Sequence, residues 1–244
     1  MEQTFIYLQV LLESLPISSS THLALLGLSA SQPIMFIAHG PTALMLCLYF
    51  WQSWKQYVPT SPQALQRLGR ICWLGGIAET LTVLGFLASS KLALIPVTGG
   101  LAVTATLLSL HFFLRPGTRN ELSTRDAIII GCAQALSLTP GISRMASTYT
   151  AGRLSGLPHK TAFEFSCLLQ VPLFAGACVY GLWSAWSTGT LAPLLTLPFI
   201  GGLLTATAGA YLLLWGVDII MQRRLLWLFG LYIWGLLVFL LIRS

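Results

Sequence analysis

The stretch QVLLESLPISSSTH, residues 9–22, decides how the chain must be read. It lies within an apolar segment, residues 3–30, yet Pro16 and a run of serines break it near the middle. Neither half is long enough to cross a bilayer, which takes about 20 apolar residues. A second segment, residues 127–153, is broken the same way by Pro140-Gly141. Unwound backbone is tolerated at membrane depth only where protein or a polar cavity covers it. Both segments therefore read as re-entrant helical hairpins.

The surrounding sequence makes the bilayer the expected solvent. Of 244 residues, 55% are hydrophobic and only 8% charged, against about 25% charged in soluble domains. Mean hydropathy is +0.78. Unbroken apolar stretches at roughly 34–51, 71–88, 92–114, 161–182, 193–216 and 225–242 predict six spanning helices. The N-terminus has no basic n-region, and Glu13 and Pro16 interrupt its apolar run, so it does not read as a cleavable signal. Cys47, Cys72, Cys132, Cys167 and Cys178 lie in or beside apolar stretches with no CxxC spacing and read as buried thiols. The net charge of +6 comes without basic runs interleaved with aromatics, which argues against a nucleic-acid partner. Trp51, Trp54, Trp183, Trp186 and Trp227 read as an interfacial belt, and His111 and His159 as interfacial residues near span ends.

With six crossings and two hairpins that return to their own side, the basic residues segregate. One side collects Lys55, Arg67 and Arg70; Arg115, Arg119 and Arg125; Arg153 and Lys160; and Arg223 and Arg224. The other holds Lys91 and Arg243, a split of ten against two. The positive-inside rule then places both termini outside. The hairpins enter from opposite faces and echo each other faintly. Gln9 and Gln134 each precede a Leu-rich turn, and His39-Gly40-Pro41 echoes Gln170-Val171-Pro172 in the following span. The expected architecture is an all-α integral membrane protein with an inverted-topology repeat, about six transmembrane helices plus two re-entrant helical hairpins. It is one membrane domain over 1–244, with repeat one about 1–114 and repeat two about 115–244. In such folds the ligand site lies near the midplane, where the broken segments meet.

Ionisable groups in the membrane cost about 3 kcal/mol each on insertion scales. Glu13 follows Gln9 by four residues, on one helix face, and Ser18, Ser19, Ser20, Thr21 and His22 come next. In the second hairpin Ser143 and Arg144 follow Pro140-Gly141, with Ser147 and Thr148 beyond. An arginine fork beside a glycine turn and hydroxyls suits a phosphate. A carboxylate near a phosphate calls for a hard cation between them, Mg²⁺ or Ca²⁺. A serine near a histidine supplies a nucleophile with a proton carrier. Plainer readings stand beside these. Glu13 and Arg144 can be a structural ion pair, the serines a helix cap, His22 an interior hydrogen-bonded histidine, and Glu164 a carboxylate favoured by a helix N-terminus. Glu79 is a further embedded carboxylate with no assigned partner.

The string from Gln9 to His22 resembles the first signature of the undecaprenyl-pyrophosphate phosphatases of the bacitracin-resistance type: Glu/Gln-xxx-Glu, then Leu-Pro-Val-Ser-Ser, then a His three residues on. Pro140-Gly141-Ile142-Ser143-Arg144 resembles the second signature, Pro-Gly-x-Ser-Arg-Ser-x-x-Thr, and Glu164-Phe165-Ser166 with Val171-Pro172 a third element. The resemblance spans essentially the whole chain. It implies a membrane phosphatase that converts undecaprenyl pyrophosphate to undecaprenyl phosphate for cell-wall synthesis, in the bacterial cytoplasmic membrane, with its site open to the outside. It implies Glu13, Ser19, His22 and Arg144 as catalytic residues. Gln9, Ser18, Ser143 and Thr148 become substrate-binding residues, and Glu13 with Gln9 the place of a divalent cation. The implied partners are the polyprenyl pyrophosphate lipid, the bilayer and, in a homodimer, a second copy. Three positions depart from the signatures: Met145 stands where a Ser is expected, Thr21 where a Gly is, and Ser14 where an aromatic is. The competing function is a transporter or flippase that grips a polyprenyl phosphate with the same Arg and Glu. A scaffold subunit is the third reading.

The charge split generates a topology prediction. Membrane-impermeant thiol labelling from outside fails at a cysteine placed at position 60 or 120 of an otherwise Cys-free variant; ready labelling there reverses the orientation.

Overall fold

The computed structural model describes residues 2–89, 96–119, 121–194 and 196–243. Among these residues the ordered structure is helical throughout. The elements are α1 (Glu2–Glu13), α2 (Ser19–Leu25), α3 (Gln32–Ile37), α4 (His39–Tyr49), α5 (Trp51–Trp54), α6 (Pro62–Ser89), α7 (Val97–Leu110), α8 (Thr124–Leu136), α9 (Arg144–Leu154), α10 (His159–Ser187), α11 (Leu191–Leu194), α12 (Leu197–Gln222) and α13 (Trp227–Arg243).

Among the described residues three helices are long and apolar enough to cross a bilayer, 62–87 in α6, all of α10 and all of α12, and a fourth is added if α3–α4 with the bent segment after it counts as one span. That is fewer than six. At 1.5 Å per residue the 14 residues of α7 reach about 21 Å and the 17 of α13 about 26 Å, short of the ~30 Å hydrocarbon core. The expected span at 92–114 starts partly in residues outside the described set. The expected span at 34–51 corresponds to residues 32–49, where Ala38 between α3 and α4 keeps a helical backbone, and the chain turns by 65° beyond Tyr49. All the same, the chain is a multi-pass helical protein with apolar surfaces. Trp51, Trp183 and Trp186 are 57%, 58% and 69% exposed, as lipid-facing or interfacial aromatics would be.

Both interruptions foreseen in the apolar segments are present. The first separates α1 from α2, the second α8 from α9.

The chain divides into two compact units. The first holds residues 1–15, 19–49 and 170–219; the second holds 16–18, 50–169 and 220–244. In the first, α1 packs on α2, α3 and α4. A Cβ on Gly40 of α4 would sit 2.6 Å from Cys178 Sγ of α10, so these helices meet at contact distance. In the second unit, α8 packs on α6 and α9, and α7 on α9 and α13. Small residues allow this. A Cβ on Gly131 would lie 2.6 Å from Ala78 Cα, the close backbone approach typical of membrane helix pairs.

The turn between α8 and α9 is held by α7. Gly141 has φ +91°, a conformation open to glycine. A Cβ there would fall 2.4 Å from Val97 O, and one on Gly100 would fall 1.9 Å from Pro140 O. Thr104 on α7 completes the clasp: its hydroxyl donates to Gly141 O at 2.8 Å and accepts from Ser143 N at 2.9 Å.

The start of α8 is fixed by a reciprocal cap. Asp126 accepts from Ser123 N at 2.9 Å, and Ser123 Oγ accepts from Asp126 N. Arg119 donates to Asp126 at 2.6 Å and to Ser155 O at 2.8 Å, tying the start of α8 to the end of α9. Burial pushes the Asp126 carboxyl up, but the Ser123 and Arg119 hydrogen bonds together outweigh it and hold it below its ordinary value. Its contribution to stability is therefore complete above the unfolded value of about 3.9 and is lost as pH falls through the lower folded one. Asp126→Ala is expected to lower stability by about 2 kcal/mol at neutral pH, and the gap to wild type should close in strong acid. Denaturant titration of both proteins at neutral and acid pH checks this.

Candidate functional site

The sequence-derived site residues fall into two sets, one on each side of the unit division. In the first unit, Gln9 and Glu13 stand one turn apart on α1, and Ser19 and His22 one turn apart on α2. The Glu13 side chain is only 6% exposed. A buried carboxylate is tolerable only with partners around it, and two donors and a histidine nitrogen converge on it. Gln9 Nε2 donates to Oε1 at 2.6 Å, Thr42 Oγ1 donates to Oε2 at 2.6 Å, and His39 Nδ1 lies 2.7 Å from Oε1. The His39 contact has ion-pair length but lies off the line of a straight hydrogen bond. The ring is held flat against Phe174, 5.1 Å between centroids at 6°.

Ser19 opens α2 and is half-buried, and its hydroxyl makes no hydrogen bond among the described residues. Its surroundings differ: Ser14 Oγ is spent on Leu11 O at 2.6 Å. His22 is 8% exposed, in the last turn of the same short helix.

In the second unit, Ser143 is the N-cap of α9, its hydroxyl accepting from Ala146 N at 3.3 Å. Arg144 is the first residue of that helix, in the turn that Ser143 caps. Thr148 is fully buried; its hydroxyl donates to Arg144 O at 2.8 Å and touches Ser166 Oγ. Thr148 thus shapes the turn that carries Arg144. Ser18 belongs to the short segment 16–18 and is 4% exposed. Met145, in place of the expected serine, is 3% exposed and packs in the interior.

A second Gln–Glu pair sits in this unit. Gln134 Nε2, fully buried, donates to Glu79 Oε1 at 2.9 Å and to Thr82 Oγ1 at 3.1 Å. Arg144 acts electrostatically on the Glu79 carboxylate. Gln9–Glu13 and Gln134–Glu79 give each unit a buried amide steadying a carboxylate. His39, Thr42 and the pairing of Glu79 were not assigned from sequence. The signal was present, because a histidine and a glutamate inside apolar spans are expensive unless paired.

Among the described residues no three His, Cys, Asp or Glu side chains gather into a metal cage. The donors at Glu13 are one carboxylate with neutral side-chain oxygens nearby, a set that suits a hard cation that keeps much of its water.

The chain matches the family described as bacitracin resistance protein BacA over residues 7–239. It is 30% identical over 243 residues to an undecaprenyl-diphosphatase of Anaeromyxobacter sp. (strain K), covering 85% of this chain and 79% of that one. It is 32% identical over 216 residues to an undecaprenyl-diphosphatase of Moorella thermoacetica, covering 82% and 80%. It is 33% identical over 192 residues to one from Gemmatimonas aurantiaca, covering 70% and 71%.

The setting of Glu13 has a measurable consequence. Thr42→Val keeps the side chain's shape and removes one donor from a buried carboxylate, so it should destabilise by about 1.5–3 kcal/mol. Reversible unfolding of the detergent-solubilised protein reads this; an unchanged midpoint would mean that Thr42 does not support Glu13.

Proposed function

Because the chain belongs to the bacitracin resistance protein BacA family, we propose that it is an integral membrane phosphatase that hydrolyses undecaprenyl pyrophosphate to undecaprenyl phosphate and inorganic phosphate. The reading places it in the bacterial cytoplasmic membrane, with the site toward the outside and the carrier lipid recycled for cell-wall synthesis. The observation that carries it is Ser19, whose hydroxyl has no hydrogen-bond partner among the described residues although the hydroxyls of Ser14, Ser143 and Thr148 are committed to the backbone. A hydroxyl left unengaged one helical turn from a histidine is disposed to react.

In the proposed reaction Ser19 Oγ attacks the terminal phosphorus. The new O–P bond forms as the bond from phosphorus to the bridging oxygen breaks, and the lipid monophosphate leaves with that oxygen. His22 accepts the Ser19 proton and gives it to the departing bridging oxygen; neutral again, it takes a proton from the water that releases inorganic phosphate and returns it to the serine. Arg144 faces the charge that grows on the non-bridging oxygens, and Ser143 and Thr148 set the turn that aims it. Ser18 adds a hydroxyl beside the nucleophile. Glu13, with the Gln9 amide oxygen turned toward the ion, would hold a Mg²⁺ or Ca²⁺ that neutralises the diphosphate. A homodimer is compatible with this chemistry and is not required by it.

Ser19→Ala removes one oxygen and little volume. Phosphate release from undecaprenyl pyrophosphate should fall by several orders of magnitude while lipid binding stays near wild type. Arg144→Lys keeps the charge and loses the fork, so it should damage both. A flippase would show no release in the wild type and transport that survives Ser19→Ala. Release persisting at near-normal rate in Ser19→Ala would assign the attack to water.

A further inference from the structure

The basic residues of the second unit enclose a cavity that the hairpin chemistry leaves unused. It has a volume of about 190 Å³, room for about six waters at ~30 Å³ each. Its walls include Arg153, Arg224, His111, His159, Tyr149 and Gln222, and no acidic residue lines it. His111, read from sequence as interfacial, is 7% exposed and fixed there. Its Nε2 meets Thr150 Oγ1 at 2.9 Å, and its ring stacks on Tyr149 at 5.1 Å. Tyr149 OH meets His159 Nδ1 at 3.0 Å, so the aromatic wall is a connected, rigid surface.

The two arginines are placed in ways that local structure does not explain. Arg224 closes α12. Its N–H bonds to Met221 O at 3.0 Å and the next N–H, of Leu225, bonds to Ile220 O at 2.9 Å, the paired bonds of a Schellman motif. Arg224 has φ +60°, and it is the one non-glycine residue with positive φ among the described residues. Glycine or asparagine normally fills that position, because a Cβ is disfavoured there. An arginine held against its backbone preference points to a use for its side chain. Its guanidinium is exposed and makes no hydrogen bond or ion pair among the described residues. Arg153 donates to Leu157 O and Arg115 O, both at 3.0 Å. Both acceptors are neutral carbonyls, so its charge is unmatched and three of its five N–H donors remain.

We propose that this cavity binds a phosphate-class anion between Arg153 and Arg224, either as inorganic phosphate or as the headgroup of an anionic lipid. Arg153 lies nine residues beyond Arg144 on α9, about 14 Å along the helix, so the cavity is separate from the Arg144 phosphate position. The site does not depend on the hydrolytic reading. A planar fork with spare donors, a second, exposed guanidinium and a polar aromatic wall suit a tetrahedral oxyanion.

The test uses the purified full-length chain in detergent. Its thermal midpoint is followed with rising inorganic phosphate at constant ionic strength, and separately with short-chain phosphatidic acid. Arg224→Gly is the decisive variant, because glycine suits the φ +60° position and the variant should fold at least as well as wild type; Arg224→Asn serves as a second. Stabilisation by phosphate, weakened about ten- to a hundredfold in Arg224→Gly and retained in Arg144→Ala, supports a site for the free ion. Stabilisation by phosphatidic acid alone, with the same dependence on Arg224, supports a headgroup site. No stabilisation by either ligand overturns the proposal, and so does an effect that Arg224→Gly retains in full or that Arg144→Ala abolishes.

Discussion

A helix that breaks inside an apolar segment bares N–H and C=O groups that hydrocarbon cannot satisfy. Each break must therefore be covered by protein, and the second unit shows how. Thr104 bonds both Gly141 O and Ser143 N, and the glycine pair Gly100 and Gly141 lets α7 lie directly on the turn. The clasp fixes where α9 starts, and so where Ser143 and Arg144 stand. The first break is closed locally, through Ser14 Oγ on Leu11 O and the turn bonds from Ser14 N and Leu15 N. Polar residues retained at these breaks are the reason a site can exist in a chain with only 8% charged residues.

The same economy governs the two buried carboxylates. Glu13 and Glu79 each take an amide donor from a glutamine, Gln9 and Gln134, and each gains more from its surroundings: Thr42 and His39 for the first, the Arg144 charge for the second. A carboxylate steadied by neutral donors keeps its place without the exact charge match of an ion pair, which leaves its charge available to a cation or a substrate. Gln9, where the family signature accepts Glu or Gln, supplies a donor that a second carboxylate could not.

Much of this was legible in the sequence. The breaks in the apolar segments at Pro16 and Pro140-Gly141 lie between the helices they separate, because proline and glycine act through local backbone geometry. The motif residues pointed to the family that the comparison then established. Span number was less legible. Hydropathy reports apolar length and is blind to where a helix ends, and α7 and α13 are apolar but shorter than the three helices long enough to cross. Partners were least legible of all. His39 lies 26 residues from Glu13 in sequence and meets it only because α1 packs on α4. His111, placed by hydropathy at an interface, is buried for the same kind of reason. Periodicity and propensity are local signals; contacts between helices are not.

The account rests on Glu13 acting on the diphosphate and not merely filling a structural niche. Glu13→Gln keeps the size at that point, removes the charge and exchanges one acceptor oxygen for an NH2 donor that the Thr42 hydroxyl can accept. Purified wild type should release phosphate from undecaprenyl pyrophosphate in a reaction that a chelator suppresses. Glu13→Gln, folded to the same degree by its thermal midpoint, should release it at least about a hundredfold more slowly. Equal rates in the two proteins, or no release from the wild type under any divalent cation, would contradict the account.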